Sequence, residues 1–535
     1  MSYRKLRKKM NHKEQHTDSG NDAQKSIGTS LTENLNIIKQ KTGNSPDIVI
    51  RTLPFGQEPE VSTAIVYVDG LVDNPTINEF LVQTLEDSAQ EKLHEKDLFA
   101  FFSEKVVAVS NLETSKDWDV LFQSLLSGDT VILLDGKEEI LIASTRGGER
   151  RMVEQTDSEI ALRGSKEGFT ETITTNITLV RRIIKNPDLW VEPMNLGTQT
   201  NTDLSLMYIN GIVNTDILEE VRQRLGHVNL DSILDSGYIE QVIEDESSGV
   251  FPTVIHTERP DAVAANLLEG RIAIFVNGTP HVLIVPAVMI QFFQTPEDYY
   301  VRFPISTLIR LLRVFMYLIS LIGPAFYVAV TTFHQEMIPT DLLVIIASQT
   351  ETVPFPAIVE ALIMEVTFEI LREAGLRMPN KISSTISIVG ALVIGQGAIQ
   401  AGIVSPAMVI VVAITAIASL ATPTYDIAIS ARLIRFAFML GAAIAGFYGI
   451  ILGLILLVVH LVSLRSFGIP YISPLAPFNS NSIKDTIYRG PLWSFNKRPK
   501  SLHPENAVRQ GEDQRPSPPR KRGMVKAEMK EGDTK

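Results

Sequence analysis

The sequence predicts α/β tandem duplicated N-terminal subdomains followed by an all-α polytopic membrane domain. Three observations carry that expectation. A pair of strand-and-turn signatures recurs at one spacing within the first 300 residues. Apolar segments of helix length then follow one another from Phe315 to Ser463. One of them carries three carboxylates, Glu360, Glu365 and Glu369, in surroundings where ionisable groups are costly and usually functional.

The 535 residues are too many for one ordinary domain, and their 45% hydrophobic content is concentrated in that middle stretch. A net charge of -12 argues against a nucleic-acid partner. The absence of cysteine excludes disulfides, thiolate metal sites and a cysteine nucleophile. Basic residues sit at both ends: Arg4, Lys5 and Arg7, then Arg520, Lys521 and Arg522. They place both termini on the cytoplasmic side of a bilayer. No apolar signal segment opens the chain, so the N-terminal part is expected to stay there too.

Taken in order, residues 1–30 are polar, lack periodicity and are expected to be disordered. Leu31, Leu35, Ile37 and Ile38 predict a short amphipathic helix, and Ile48-Val49-Ile50 opens a strand. The strand ending at Asp69-Gly70 returns at Asn210-Gly211, and the hairpin at Asp135-Gly136 returns at Asn277-Gly278. Tyr67 and Tyr208 stand 141 positions apart, Gly136 and Gly278 142. Glycine supplies the positive φ each turn needs. Helices are expected over 77–85 and 118–126, and in the second copy over 217–225 and 262–268. The subdomains are therefore placed at 31–155 and 188–300, joined by a linker over 156–187. In that linker Arg163, Lys166 and Glu167, with Gly164 and Gly168, fit either a solvated charged connection or an ion-paired elbow.

The membrane domain is assigned to 305–465, with apolar segments near 314–333, 355–371, 385–403, 406–422 and 433–464. A span needs ~20 apolar residues. Arg310 and Arg313 mark a cytoplasmic mouth, Ser405-Pro406 an outer turn, and Asp426, Arg432 and Arg435 an inner loop. The segment 433–464 fits one tilted helix or a hairpin bent between Gly441 and Gly449. Residues 466–535 are proline-rich and basic. They are expected to be mostly disordered, with packing to about Pro499.

No phosphate-binding loop, nucleophile elbow or metal-ligand spacing occurs, and the nine histidines are scattered. The sequence thus predicts neither an enzyme nor a cofactor. On a helix Glu365 and Glu369 share a face, and Glu373 extends the stripe. These carboxylates either attract cations along a path or pair with Arg372, Arg377, Arg432 and Arg435 as helices pack. Gln396 and Gln400, at i,i+4 among small residues, either line a polar path or serve close packing.

The stretch from Pro354, Pro356 and Glu360 through Glu369, Glu373, Gly375 and Pro379 resembles the A subunits of spore germinant receptors, the GerA family. Arg163, Gly164, Glu167, Gly168, Phe169 and Glu171 match a second hallmark of that family, and Pro406 a third. The resemblance extends from about residue 31 to about residue 500. It implies a multi-pass protein of the spore inner membrane, with its N-terminal domain on the core side. Its partners would be a transporter-like B subunit, a lipoprotein C subunit, membrane lipid and further copies of itself. The complex would trigger germination as a nutrient-gated, cation-conducting pore. Three other readings stand beside this one: a non-conducting scaffold, a stage-V sporulation paralogue, and a small solute bound between the two α/β copies.

Overall fold

A computed structural model describes residues 26–55, 61–77, 112–147, 156, 159, 163–247, 249–376, 393–479, 483–511 and 514–517. Most of the expected helix over 77–85, the tail before residue 26, Arg377, Pro379 and the basic residues after 517 lie outside them.

In the first copy, helix α1 (Leu31–Lys41) begins at Ser30, whose hydroxyl accepts the Glu33 N–H. Strands β1 (Ile48–Phe55), β2 (Val61–Val68) and β3 (Leu112–Ser115) precede α2 (Trp118–Leu125), which Asp117 caps. The hairpin β4 (Thr130–Leu134) and β5 (Ile140–Ala143) follows. After α3 (Ile173–Ile183), the second copy runs β6 (Leu189–Leu196), β7 (Thr202–Ile209), α4 (Thr215–Gly226), α5 (Ser236–Ile243) and β8 (Ile255–Thr257). It closes with α6 (Pro260–Glu269), β9 (Ile272–Val276) and β10 (Val282–Val285).

The two sheets are five-stranded, antiparallel and built in the same order: β1-β2-β4-β5-β3 and β6-β7-β9-β10-β8. Their registers repeat with the spacing of the sequence. Val66 opposes Val131 in the first, and Met207 opposes Ala273 in the second. Gly136 and Gly278 adopt φ of 79° and 93°, the left-handed region both turns demand. Strands β9 and β10 read as unbroken apolar runs because both faces are covered. Leu204, Leu206 and Ile274 pack under α4 and α5 on one side, while Met207, Ala273 and Phe275 pack under α3 and α6 on the other.

A buried ion pair joins the copies. Arg181 on α3 has no exposed side-chain surface, and its Nε lies 2.7 Å from Asp47, just before β1. Its Nη1 donates to the Leu189 carbonyl at 2.7 Å. Beside it Trp190 donates to the Lys41 carbonyl at 3.1 Å and packs over Gly43. A Cβ built on Gly43 would lie 2.2 Å from that indole, so only glycine fits.

The rest of the chain is helical to Ser463, after which a two-stranded ribbon (Arg465–Ser466 with Ile469–Pro470) and a largely irregular strap follow. A short α7 (Glu297–Tyr300) leads into the 31-residue α8 (Phe303–Phe333). Then come α9 (Thr340–Thr350), α10 (Ala357–Leu376), α11 over 393–400, α12 (Pro406–Leu420), α13 (Tyr425–Ala445) and α14 (Phe447–Ser463). Among the described residues α8 and α13 are long and apolar enough to cross a membrane. The stretch 433–464 is a hairpin that turns at Gly446, with φ 58°. Gly441 and Gly449 meet across it: a Cβ on Gly449 would fall 2.0 Å from the Gly441 carbonyl oxygen.

Three expectations change. Asp426, Arg432 and Arg435 lie inside α13, where Arg432 and Arg435 are buried and pair with Glu369 and Glu365 of α10. Ser405-Pro406 is a helix start: Ser405 caps α12 and Pro406 takes the first position, where its missing N–H is harmless. The C-terminal packing also runs past Pro499. Lys497 bridges Val508, and Leu502 is buried against Val288 and Ile469.

Asp47→Ala would leave Arg181 charged and unpaired in the subdomain interface. Breaking one partner of a buried pair costs about 3–5 kcal/mol. A drop of several degrees in the melting temperature of the purified protein is expected; an unchanged melting temperature would show that the pair does not hold the copies together.

Candidate functional site

Helix α10 follows Val353-Pro354-Phe355-Pro356, where two prolines block any earlier helical turn, and it carries the carboxylate stripe. The three carboxylates meet two neighbouring helices, Glu360 the start of α12 and Glu365 and Glu369 two arginines of α13. Glu360, 2% exposed, accepts the Ser405 N–H at 2.7 Å, at the start of α12. Glu365, 4% exposed, pairs with Arg435 of α13 at 2.6 Å. Arg435 also donates its Nε–H to the Ser320 carbonyl of α8 at 2.6 Å. One turn on, Glu369 pairs with Arg432, whose guanidinium lies over the Tyr425 ring. Arg372 donates to the Ser419 hydroxyl on α12 at 2.8 Å. The stripe thus stitches α10 to α8, α12 and α13 in one seam. Arg432 and Arg435 share a face of α13 because they are three residues apart.

The glutamines are placed otherwise. Gln396 and Gln400 are exposed on α11, between Val393, 62% exposed, and the start of α12. Nearby in the chain, Ile394 and Ile403 and, on α12, Ile410 and Ile414 are exposed as well. Pro354 and Pro356 are exposed at the entry to α10, as is Glu373 at its end; Gly375 is half-buried.

In the linker Arg163, Lys166 and Glu167 are exposed, and among the described residues the structure shows no ion pair between them. The neighbouring residues do the anchoring. Gly164, with φ 117°, lies against Tyr300, and a Cβ there would come 2.6 Å from that ring. Gly168 is buried beside Thr156. Phe169 inserts edge-on against Phe275 at 5.8 Å, and its N–H donates to the Glu258 carbonyl. The Glu171 carbonyl accepts the Gly278 N–H at 2.8 Å, which fastens the strap to the hairpin turn of the second copy.

Sequence reasoning missed the joint between the second copy and α13. His256 on β8 stands 3.3 Å from Asp426 in the first turn of α13. Ser430 donates to the Val250 carbonyl, and Thr424 to the Phe292 carbonyl at 3.1 Å. Glu240 on α5 belongs to this joint: burial raises its pKa to about 7, with Asp426 and Glu244 adding to the rise and His256 opposing it. A lone His and a lone Asp in the sequence, 170 positions apart, carry no signal of their own. An open cleft of about 640 Å³ separates the first copy from α3, lined by Asp69, Asp73, Thr174, Thr178 and Arg182.

Two antiparallel five-stranded α/β copies lead into an apolar helical bundle joined by a carboxylate–arginine seam, and among the described residues two of its helices are long and apolar enough to cross a membrane. The family described as Bacillus/Clostridium GerA spore germination protein matches residues 36–501, and this chain belongs to it. It is 56% identical over 508 residues to spore germination protein KA of Bacillus subtilis (strain 168), covering 95% of this chain and 93% of that one. It is 38% identical over 486 residues to spore germination protein B1 of the same organism, covering 90% and 99%. The N-terminal domain of the A subunit of the Bacillus megaterium spore germinant receptor GerK3 is 46% identical. That solved structure superposes with a TM-score of 0.41 over 49% of this chain and 97% of its own.

Two outcomes test the site. Arg435→Ala should cost several kcal/mol, since it strands Glu365 in the bundle. A paired Glu365→Gln, Arg435→Met change should recover most of the loss, as read by melting of the detergent-solubilised protein in a double-mutant cycle. For Glu240 the folded pKa is raised, so its ionisation opposes folding. That penalty is absent at pH 4, grows as pH climbs from the ordinary carboxylate range, and is complete above about 7. Glu240→Gln should therefore raise the melting temperature at pH 8 and leave it nearly unchanged at pH 4.5; equal shifts at both pH values would overturn this assignment.

Proposed function

We propose that this protein is the A subunit of a nutrient germinant receptor in a spore membrane and that copies of it assemble into a cation-conducting pore with B and C subunits. Membership of the family supports the role in spore germination. The observation that carries the pore reading is the outward position of Gln396 and Gln400. Two amides at i,i+4 on an apolar surface, with no hydrogen bond among the described residues, cannot face hydrocarbon without several kcal/mol of cost. A ring of copies, each presenting α11 to a central axis, gives both amides water and gives passing cations oxygen ligands.

Within this reading the three carboxylates divide their work. Glu360 and Glu365 are buried and hold helices. Glu369 keeps 47% of its side chain exposed beside Arg432, so it is the carboxylate of the three that meets solvent and draws cations toward the path. Signal from the cytoplasmic copies enters through His256 and Asp426 at the foot of α13. A ligand need bias a closed–open equilibrium by only a few kcal/mol.

Gln400→Lys should change nutrient-independent ion leak in cells that express this subunit with its partners, measured as membrane potential, with the assembly intact by native gel. Unchanged permeability in an intact assembly would give the weight to a non-conducting scaffold.

A further inference from the structure

A second site lies at the other end of the helical region, where the C-terminal strap crosses the second α/β copy. The strap is fixed along its length. Lys497 bridges Val508, the Arg498 N–H donates to the Ala507 carbonyl, and the Arg509 N–H to the Asn496 carbonyl, each at 2.9 Å for the last two. The Glu505 N–H reaches the Ile212 carbonyl at 3.2 Å, and Asn214 reaches the His503 carbonyl at 3.0 Å. Between strap, α6 and the segment around Ser473 and Lys484 is a cavity of about 280 Å³.

Its charge is one-sided. Arg271, Lys484, Lys497, Arg498, Lys500 and Arg509 line it, against Glu269 and Asp485. Both acids are already engaged. Glu269 binds Arg271 and lies 3.6 Å from Arg509. Asp485 accepts from Arg310 at 2.9 Å and from the Tyr299 hydroxyl at 2.8 Å. Arg498 spends its N–H groups on the Leu268, Asn506 and Val508 carbonyls, and the proximity of Arg509, after burial, disfavours its charge. Lys484, Lys497 and Lys500 form no ion pair among the described residues. The three lysines are exposed at its rim, and like charges gathered around one concavity repel unless an anion enters.

The position of the cavity narrows the class of anion. Asp485, on its wall, is bound to Arg310 in the third turn of α8, and Thr307 donates to the Arg489 carbonyl at 3.2 Å. On that part of α8 Leu308, Leu311 and Leu312 are exposed, an apolar face on the same helix as Arg310. The volume, about 280 Å³, lies at the lower edge of the roughly 300–1,000 Å³ of small-ligand pockets and leaves room for a phosphate-bearing group.

We propose that this cavity binds a phosphate-bearing anion at the membrane face, the headgroup of an acidic phospholipid or a free phosphate. Lysine supplies point charges and Arg509 a fork to the same oxygens. Occupancy would fasten the strap, the second copy and the foot of α8 to one another.

Full-length protein purified in detergent is incubated with phosphatidylglycerol or phosphatidylcholine and its bound lipid counted by native mass spectrometry. Wild type should retain phosphatidylglycerol in preference to phosphatidylcholine, and Lys484→Gln/Lys497→Gln/Lys500→Gln should lose that retention by about tenfold or more. Lys39→Gln/Lys137→Gln, on the first copy, should not. Displacement of the lipid by millimolar inorganic phosphate, with a rise in melting temperature, would assign a free anion; persistence would assign the headgroup. Equal retention of both lipids by wild type with no response to phosphate, or equal retention by wild type and the triple variant, would overturn the proposal. Lys497→Glu alone, at an exposed position, gives the same reading if the triple variant does not fold.

Discussion

The pair of Glu365 and Arg435 is the contact around which the helical region is organised. Two opposite charges taken from water must recover their lost hydration from each other and from neighbouring dipoles. Here Arg435 meets a carboxylate on α10 and a main-chain carbonyl on α8, so one side chain fixes the relative positions of three helices. Apolar packing alone would let those helices slide, since lipid tails compete with leucine for leucine. The charges supply the register, and the close approaches at Gly323, Gly441 and Gly449 supply the fit.

From that pair a chain of contacts runs in both directions. Toward the α/β copies it follows α13 to Asp426 and His256, and from β8 into the second sheet. Outward it follows α10 to Glu360 and the Ser405 N–H, where the α11 turn feeds α12. The connections are individually ordinary and together continuous. A shift of α13 by a fraction of a turn would have to break or exchange the Glu365 and Glu369 pairs. The duplicated head shows the complementary principle. Both copies keep one topology and one register, and the second meets the bundle: Phe251 packs into its core and the Val250 carbonyl accepts from Ser430 of α13.

Much of this was legible in order along the chain. Turn glycines at a fixed spacing disclosed the duplication, because positive φ restricts the residue type. The apolar runs located the helices, and the possible partnership of the carboxylates with Arg432 and Arg435 could be named from charge alone. Other features were not legible. Arg432 and Arg435 resemble a loop charge in a hydropathy reading, because burial of a paired arginine leaves no periodic mark. The linker hallmark named Arg163 and Glu167 alongside Gly164, Gly168 and Phe169, and the contacts fall on the two glycines and the phenylalanine. Glycine contacts are set by what approaches, and the sequence does not print the approaching residue.

The sequence by itself determined the local choices: where strands turn, where helices start at Ser30, Asp117 and Ser405, and which segments are too apolar for water. These depend on φ, capping and hydration, all properties of a few neighbouring residues. Only the tertiary structure decided which carboxylate meets which arginine, that 433–464 folds back at Gly446, and that six cations converge on one cavity beneath the strap. Those outcomes join residues tens to hundreds of positions apart. Their energies depend on burial and on partner geometry, which exist only once the chain has packed.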